Sequence, residues 1–271
     1  MDTKSTATLT DGVGIPWLGL GVWQAPRGVA YQAVRDAIEL GYRHIDTAKA
    51  YANEADVGRA IRESGVPRDQ IFVTTKLWNA DHGYEQAKRA CATSLAALGL
   101  DYVDLYLIHW PEKKRHDSWR ALVELKNDGK CRAIGVSNFT IAHLDALARA
   151  SDVVPAVNQV EFHPFLFQRA LLERCASAKI QLEAYSPLTR GQRIGHPTVV
   201  AIAARLGRTP AQVLIRWAIE HEVVVIPKSV HRARIEENAK VFDFAIPPEE
   251  LAELDALDEG LRTCWDPSDV A

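Results

Sequence analysis

An aspartate, a lysine and a histidine fall at the ends of three separate apolar runs of this chain. They are Asp46, Lys76 and His109, and Tyr51 lies five residues after the first. Each alone has a structural explanation. Asp46 can cap the segment that follows it, Lys76 can snorkel to solvent, His109 can be a satisfied internal histidine, and Tyr51 can pack with a wet hydroxyl. Gathered at one mouth, they do specific chemistry. A buried lysine needs an anion to stay charged, and Asp46 is the candidate. A charged lysine beside a tyrosine lowers the phenol pKa from its reference near ~10, so Tyr51 can give a proton to a carbonyl oxygen near neutral pH. His109, donating to the same oxygen, would hold and polarise it. The set suits reduction of a carbonyl, whose oxygen gains charge as hydride arrives at carbon. The alternative from another class is a Schiff-base lyase with Lys76 as nucleophile, which needs that lysine partly deprotonated.

The elements that must position these groups are eight apolar, β-rich runs: Trp17–Val22, Arg43–Asp46, Ile71–Lys76, Val103–Ile108, Ala133–Ser137, Ala156–Glu161, Gln181–Tyr185 and Val223–Pro227. Several are apolar almost throughout, as strands buried on both faces must be. Amphipathic segments lie between them. Val29–Leu40 carries Ala30, Ala33, Val34, Ala37 and Ile38 on one stripe, with Gly41 after it. Tyr84–Leu98, Asp117–Asp128, Arg169–Ser177, a segment opened by Thr209-Pro210, and Pro248–Leu257 also predict helices. Alternating β and α elements imply parallel strands with crossover helices, and eight units in 271 residues favour a closed (β/α)8 TIM barrel forming a single domain over residues 1–271. Asp11-Gly12 predicts an N-terminal β-hairpin within Thr8–Ile15 that caps the barrel bottom; a C-terminal extra helix and tail follow the last strand.

In such a barrel the strand C-termini share one face. Besides the four residues above, that face receives Ser137-Asn138, then Asn158, Gln159 and Glu161, then Tyr185-Ser186 and Lys228-Ser229. Trp23, Trp78 and Trp110 follow strands one, three and four and predict flat apolar pocket walls, whereas Trp217, mid-helix, reads as packing.

Composition narrows the function classes. Hydrophobic residues make up 47% and charged residues 25%, an ordinary globular balance, and the net charge of −3 points to neither a nucleic-acid nor a membrane partner. No apolar run is long enough to span a bilayer, and Met1 to Thr10 lacks the apolar core of a secretory signal. Four dispersed cysteines without a CxxC pair suggest reduced thiols in a cytoplasmic protein and no zinc site. A G-x-G-x-x-G fingerprint is missing, since Gly19-Leu20-Gly21 runs into Gln24; Walker A and HExxH motifs are missing too. Motif chemistry alone therefore does not demand a nicotinamide.

The ordered motifs, however, resemble those of the aldo-keto reductase family over essentially the whole chain. "GYRHIDTAKAYANEADVG" (Gly41–Gly58) and "IPKSVHRARIEEN" (Ile226–Asn238) are similar to its two signatures, and "TTKLWN", "LYLIHWP", "IGVSNF" and "AVNQVEFHP" follow in order. Within the family, bacterial 2,5-diketo-D-gluconate reductase-like carbonyl reductases look most alike. The resemblance implies that Asp46, Tyr51, Lys76 and His109 are a catalytic tetrad with Tyr51 as general acid. It implies NADPH (NADP+) as cofactor, extended across the barrel mouth. Ser137, Asn138 and Gln159 would hold the nicotinamide carboxamide, and Tyr185 would stack on the ring. Ser186, Pro187, Leu188 and Gly191 would run beside the pyrophosphate. Lys228, Ser229 and Arg234 would bind the 2′-phosphate, with Glu237 and Asn238 at the adenine, and Val230 would also touch the cofactor. Physics agrees for Lys228 and Arg234, a cationic pair suited to a dianion. His109 and the three tryptophans Trp23, Trp78 and Trp110 would face a small carbonyl substrate, such as an aldehyde, an α-dicarbonyl or a keto-sugar. The resemblance also implies a monomer, and it leaves a non-catalytic NADPH-binding redox sensor as the remaining alternative. The loop after Trp110 is short and the tail Leu261–Ala271 matches relatives worst, so the substrate is the least specified feature.

Overall fold

The computed structural model describes residues 2–270; Met1 and Ala271, the ends of the two terminal stretches read above, lie outside the described residues. A short antiparallel hairpin comes first, β1 (Thr6–Thr8) with β2 (Gly14–Pro16). Eight parallel strands follow: β3 (Leu20–Gly21), β4 (His44–Asp46), β5 (Phe72–Leu77), β6 (Val103–Ile108), β7 (Cys131–Ser137), β8 (Val157–Glu161), β9 (Gln181–Tyr185) and β10 (Val224–Val225). Each pairs with its sequence neighbour. Parallel bridges Leu18↔Val225 and Gly21↔Lys228 then join the first strand to the last. The sheet closes into a (β/α)8 barrel, and among the described residues it has no unpaired edge strand.

The first and last apolar runs are longer than their regular strands, because their mutual pairing continues only as those separate bridges. The hairpin plugs the bottom: Ile15 is buried against a layer that includes Leu105, Leu107, Ala133, Val157 and Val224. The main core lies between barrel and helices.

The helices form where the apolar stripe meets good end signals. In α1 (Val29–Glu39) the predicted stripe is buried, and the chain turns away at Gly41 with φ +97°. α3 (Tyr84–Leu98) stops at left-handed Gly99. α4 (Arg115–Asn127) starts two residues earlier than the sequence pattern suggests, and α6 (Arg169–Ser177) matches it. α8 (Pro210–Glu220) opens with a reciprocal capping box between Thr209 and Gln212, and α10 (Pro248–Asp255) closes the helical set. Four helices were not read from the sequence: α2 (Glu54–Arg62), α5 (Ile141–Ala150), α7 (Pro197–Leu206) and α9 (Arg232–Ala239). Gly58 disguises α2. Its place in mid-helix is a packing requirement, since a Cβ there would lie 1.7 Å from the Leu98 carbonyl oxygen. Trp217 sits wholly buried in α8, stacked on Phe162, as a packing residue.

Register decides what meets at the mouth. Asp46 pairs across to Thr74, and Ser137, Gln159 and Glu183 fall in one row across β7, β8 and β9.

Candidate active site

Lys76 on β5 has no exposed side-chain surface. Its Nζ donates to Asp46 Oδ1 (2.6 Å), Asp46 Oδ2 (2.8 Å) and the Thr47 carbonyl (2.9 Å). Those three bonds use every ammonium proton, so the lysine is a fixed cation with no lone pair to offer. A Schiff-base nucleophile is poorly served by that geometry. The bidentate carboxylate explains how a charge survives inside the barrel.

Tyr51 closes a single 3-10 turn, Lys49–Tyr51, directly after β4. Lys76 Nζ lies 5.2 Å from its ring centroid. Its hydroxyl has no hydrogen-bond partner among the described residues, and Tyr51 lines the central cavity. The expected lowering of its pKa is not what this environment produces. Burial, and then the Asp46 carboxylate, hold the phenol well above its usual range. Lys76 spends its charge on Asp46, so it does not depress the tyrosine in the free protein. Tyr51 is therefore a protonated phenol at neutral pH. His109, after β6, is kept neutral: burial, reinforced by Lys76, pushes it well below the usual imidazole range. Its ring meets Tyr51 edge-on at 5.8 Å and Trp78 at 5.4 Å between centroids. Neither ring nitrogen has a protein partner among the described residues. An uncommitted hydroxyl and an uncommitted imidazole facing one cavity form a site for a polar atom that the protein does not supply.

The cavity measures about 1290 Å³ and runs across the C-terminal ends of the strands. Every residue singled out from the sequence for catalysis, cofactor or substrate lines it except Lys76, which lies beneath Asp46. Ser137 Oγ donates to the Gln159 carbonyl (2.8 Å). Asn138, in a left-handed conformation at φ +63°, donates to the His109 carbonyl and accepts from the Tyr185 hydroxyl at 2.7 Å. After β9, the loop through Ser186, Pro187, Leu188 and Gly191 holds Ser186, Thr189 and Arg190 at positive φ. Such strain in non-glycine residues collects at ligand clamps. Beyond β10, Lys228, Ser229 and Val230 lead to α9, which carries Arg234, Glu237 and Asn238. Lys228 and Arg234 are exposed and have no carboxylate within 4 Å among the described residues, whereas Arg232 is tied to Asp36 and Glu39. Two free cations beside Ser229 fit a phosphate dianion, and a free acceptor on Gln159 fits an amide donor. The chemistry of this donor set therefore fits a phosphorylated nicotinamide dinucleotide. Glu237 also accepts from Thr209 (2.6 Å), which anchors α9 to α8.

Sequence reasoning missed how the tail is held. Glu161, buried at the end of β8, accepts from Thr263 N (2.7 Å), Thr263 Oγ1 and Cys264 N (3.1 Å). These bonds draw Arg262, Thr263, Cys264 and Trp265 over the cavity. Trp265 packs against Trp110 with centroids 5.6 Å apart, and Arg190 lies over Trp23 while donating to the Thr263 carbonyl. The available signal was Glu161 itself, a carboxylate at the end of a buried run.

Residues 12–259 match the Aldo/keto reductase family. The chain is 48% identical to glyoxal reductase of Bacillus subtilis (strain 168), over 98% of both chains. Among solved structures it is similar to MGS-M4, an aldo-keto reductase enzyme from a Medee basin deep-sea metagenome library: TM-score 0.96, 44% identity, 98% of this chain and 100% of that one. It is also similar to an aldo-keto reductase of Bombyx mori in complex with NADP: TM-score 0.90, 37% identity, 95% of this chain and 94% of that one. The likeness spans the strands that carry the lysine–aspartate pair and the helix that carries the free arginine, and the chain belongs to the aldo/keto reductase family.

Proposed function

We propose that this protein, acting as one domain and as a cytoplasmic monomer, is an NADPH-dependent carbonyl reductase. Its substrates are small aldehydes, α-dicarbonyls such as methylglyoxal, or keto-sugars such as 2,5-diketo-D-gluconate. The observation that carries the reading is the pair of uncommitted groups, Tyr51 Oη and His109, above a fully paired Lys76–Asp46.

Ser137, Asn138 and Gln159 would hold the carboxamide, Tyr185 the ring face, Lys228 and Arg234 the 2′-phosphate. When bound, NADPH supplies the hydride. The residues do the rest. The substrate oxygen sits between Tyr51 and His109, and the neutral imidazole donates a hydrogen bond to it. Charge builds on that oxygen as carbon is reduced. An alkoxide is a stronger base than a phenolate, so even a phenol of raised pKa gives up its proton to it. Lys76, 5.2 Å from the ring centroid, keeps its donors on Asp46 and the Thr47 carbonyl, and solvent returns the proton to the phenolate. Trp23, Trp78, Trp110 and the strapped tail narrow the mouth against water. The B. subtilis relative named for glyoxal reduction favours α-dicarbonyls for the first trial.

The test is NADPH oxidation followed by absorbance with a simple aldehyde, methylglyoxal and 2,5-diketo-D-gluconate. Tyr51→Phe is expected to lower turnover about 10²- to 10⁴-fold with NADPH binding nearly intact. Loss of binding in that variant would remove Tyr51 from the acid role. Tight NADPH binding without turnover of any carbonyl would favour the sensor alternative.

A further inference from the structure

Directly beneath the cofactor cleft lies a carboxyl group with no part in the chemistry above. Glu183 sits in the middle of β9, fully buried, in the same row as Gln159. We propose that Glu183 is a positioning residue: with Asp46 it locks the Gln159 side-chain amide so that its oxygen faces the cofactor carboxamide. The inference rests on the NADPH reading.

One amide atom of Gln159 lies 2.8 Å from Asp46 Oδ2 and 2.9 Å from Glu183 Oε2. Asp46 is paired with Lys76 and only accepts, so the shared atom is the nitrogen, Nε2. Both of its protons are then spent inward. Among the described residues nothing donates to Gln159 Oε1, and Gln159 lines the cavity. A carboxamide NH₂ is the complementary donor. The flipped amide would set NH₂ against NH₂ in the cleft and oxygen against the Asp46 carboxylate below. Asp46 alone satisfies one amide proton; Glu183 satisfies the second and makes the flip costly.

The state of Glu183 supports this role. Burial and the nearby Asp46 push its carboxyl up to about 8, so it is neutral at pH 7. Its Oε1 has no hydrogen-bond partner among the described residues: His44 Nε2, 3.5 Å away, is engaged with Thr74 Oγ1 at 3.2 Å, and burial keeps His44 neutral, pushed down to about 3. With Oε2 accepting from Gln159 Nε2 at 2.9 Å, Oε1 is the oxygen left to carry the proton. Glutamine is the isostere of that protonated form.

The experiment titrates the full chain with NADPH and with its reduced 3-acetylpyridine analogue, which keeps the carbonyl and lacks the NH₂. Wild type is expected to favour NADPH by about 5- to 100-fold. Glu183→Leu is expected to bring that ratio to within about threefold of unity, and Glu183→Gln to preserve it. If Glu183→Leu does not fold, Glu183→Met, unbranched and close in length, takes its place. A ratio unmoved in the apolar variant, or lost equally in Glu183→Gln, overturns the inference while leaving NADPH binding in place. A wild type that binds neither dinucleotide removes the NADPH reading, and this inference with it.

Discussion

Replacing Asp46 by asparagine strips Lys76 of its counter-charge while leaving the shape of the site almost unchanged. Lys76 Nζ loses a bidentate carboxylate at 2.6 and 2.8 Å and keeps the Thr47 carbonyl and at most one amide oxygen, both uncharged. Its side chain has no exposed surface, so water does not replace the loss. Breaking one side of a buried pair costs about 3–5 kcal/mol. Asp46→Asn should therefore destabilise by about 3–5 kcal/mol, roughly 5–10 °C in Tm for a chain of this size. Lys76→Met removes the orphaned cation, and in the double variant the coupling energy should return about 2 kcal/mol or more. Urea unfolding of wild type, both single variants and the double variant closes the cycle. Additivity within about 0.5 kcal/mol would refute the idea that the two charges hold each other in the barrel.

Arg234→Ala should weaken NADPH about 10- to 100-fold and NADH by no more than about twofold, because only the phosphate loses a charge-assisted bond; an equal loss in fluorescence titrations with both would place Arg234 elsewhere. His82 is buried beside Ser118, and burial lowers its pKa to about 4. The unfolded chain binds that proton below about 6.5, so stability should fall as pH drops from about 6.5 to 4, by about 1–3 kcal/mol. His82→Gln should flatten that slope in urea midpoints measured across the window, and an unchanged slope would exclude this histidine. Gly58→Ala drives a Cβ to 1.7 Å from the Leu98 carbonyl and should cost at least about 3 kcal/mol; an unaltered unfolding midpoint would show that α2 and α3 can part freely.

The barrel was legible because its signals are local. Buried parallel strands announce themselves as apolar runs, and the residue that ends each run reaches the C-terminal mouth whatever the helices do. Hence Asp46, His109, Ser137, Gln159, Tyr185 and Lys228, each read singly from the sequence, all line the one cavity, with Lys76 buried against Asp46. The helices missed are those whose pattern answers to a neighbour: Gly58 reads as a break until α3 is seen against it.

The sequence by itself determined the order of the elements, the face on which the polar groups gather, and the residue types available there. These follow from side-chain period and chain connectivity. Only the tertiary structure decided how the groups are used. It left Tyr51 protonated, because burial and the Asp46 carboxylate hold the phenol high while Lys76 gives its donors to Asp46 and the Thr47 carbonyl. It occupied Arg232 with α1 and left Arg234 without a carboxylate partner among the described residues, though the two are only two positions apart. It brought Gln159 to Asp46 across 113 positions and the tail to Glu161 across 102. Such contacts depend on strand register and on closure of the barrel, which are properties of the whole sheet, and no local stretch of sequence encodes them.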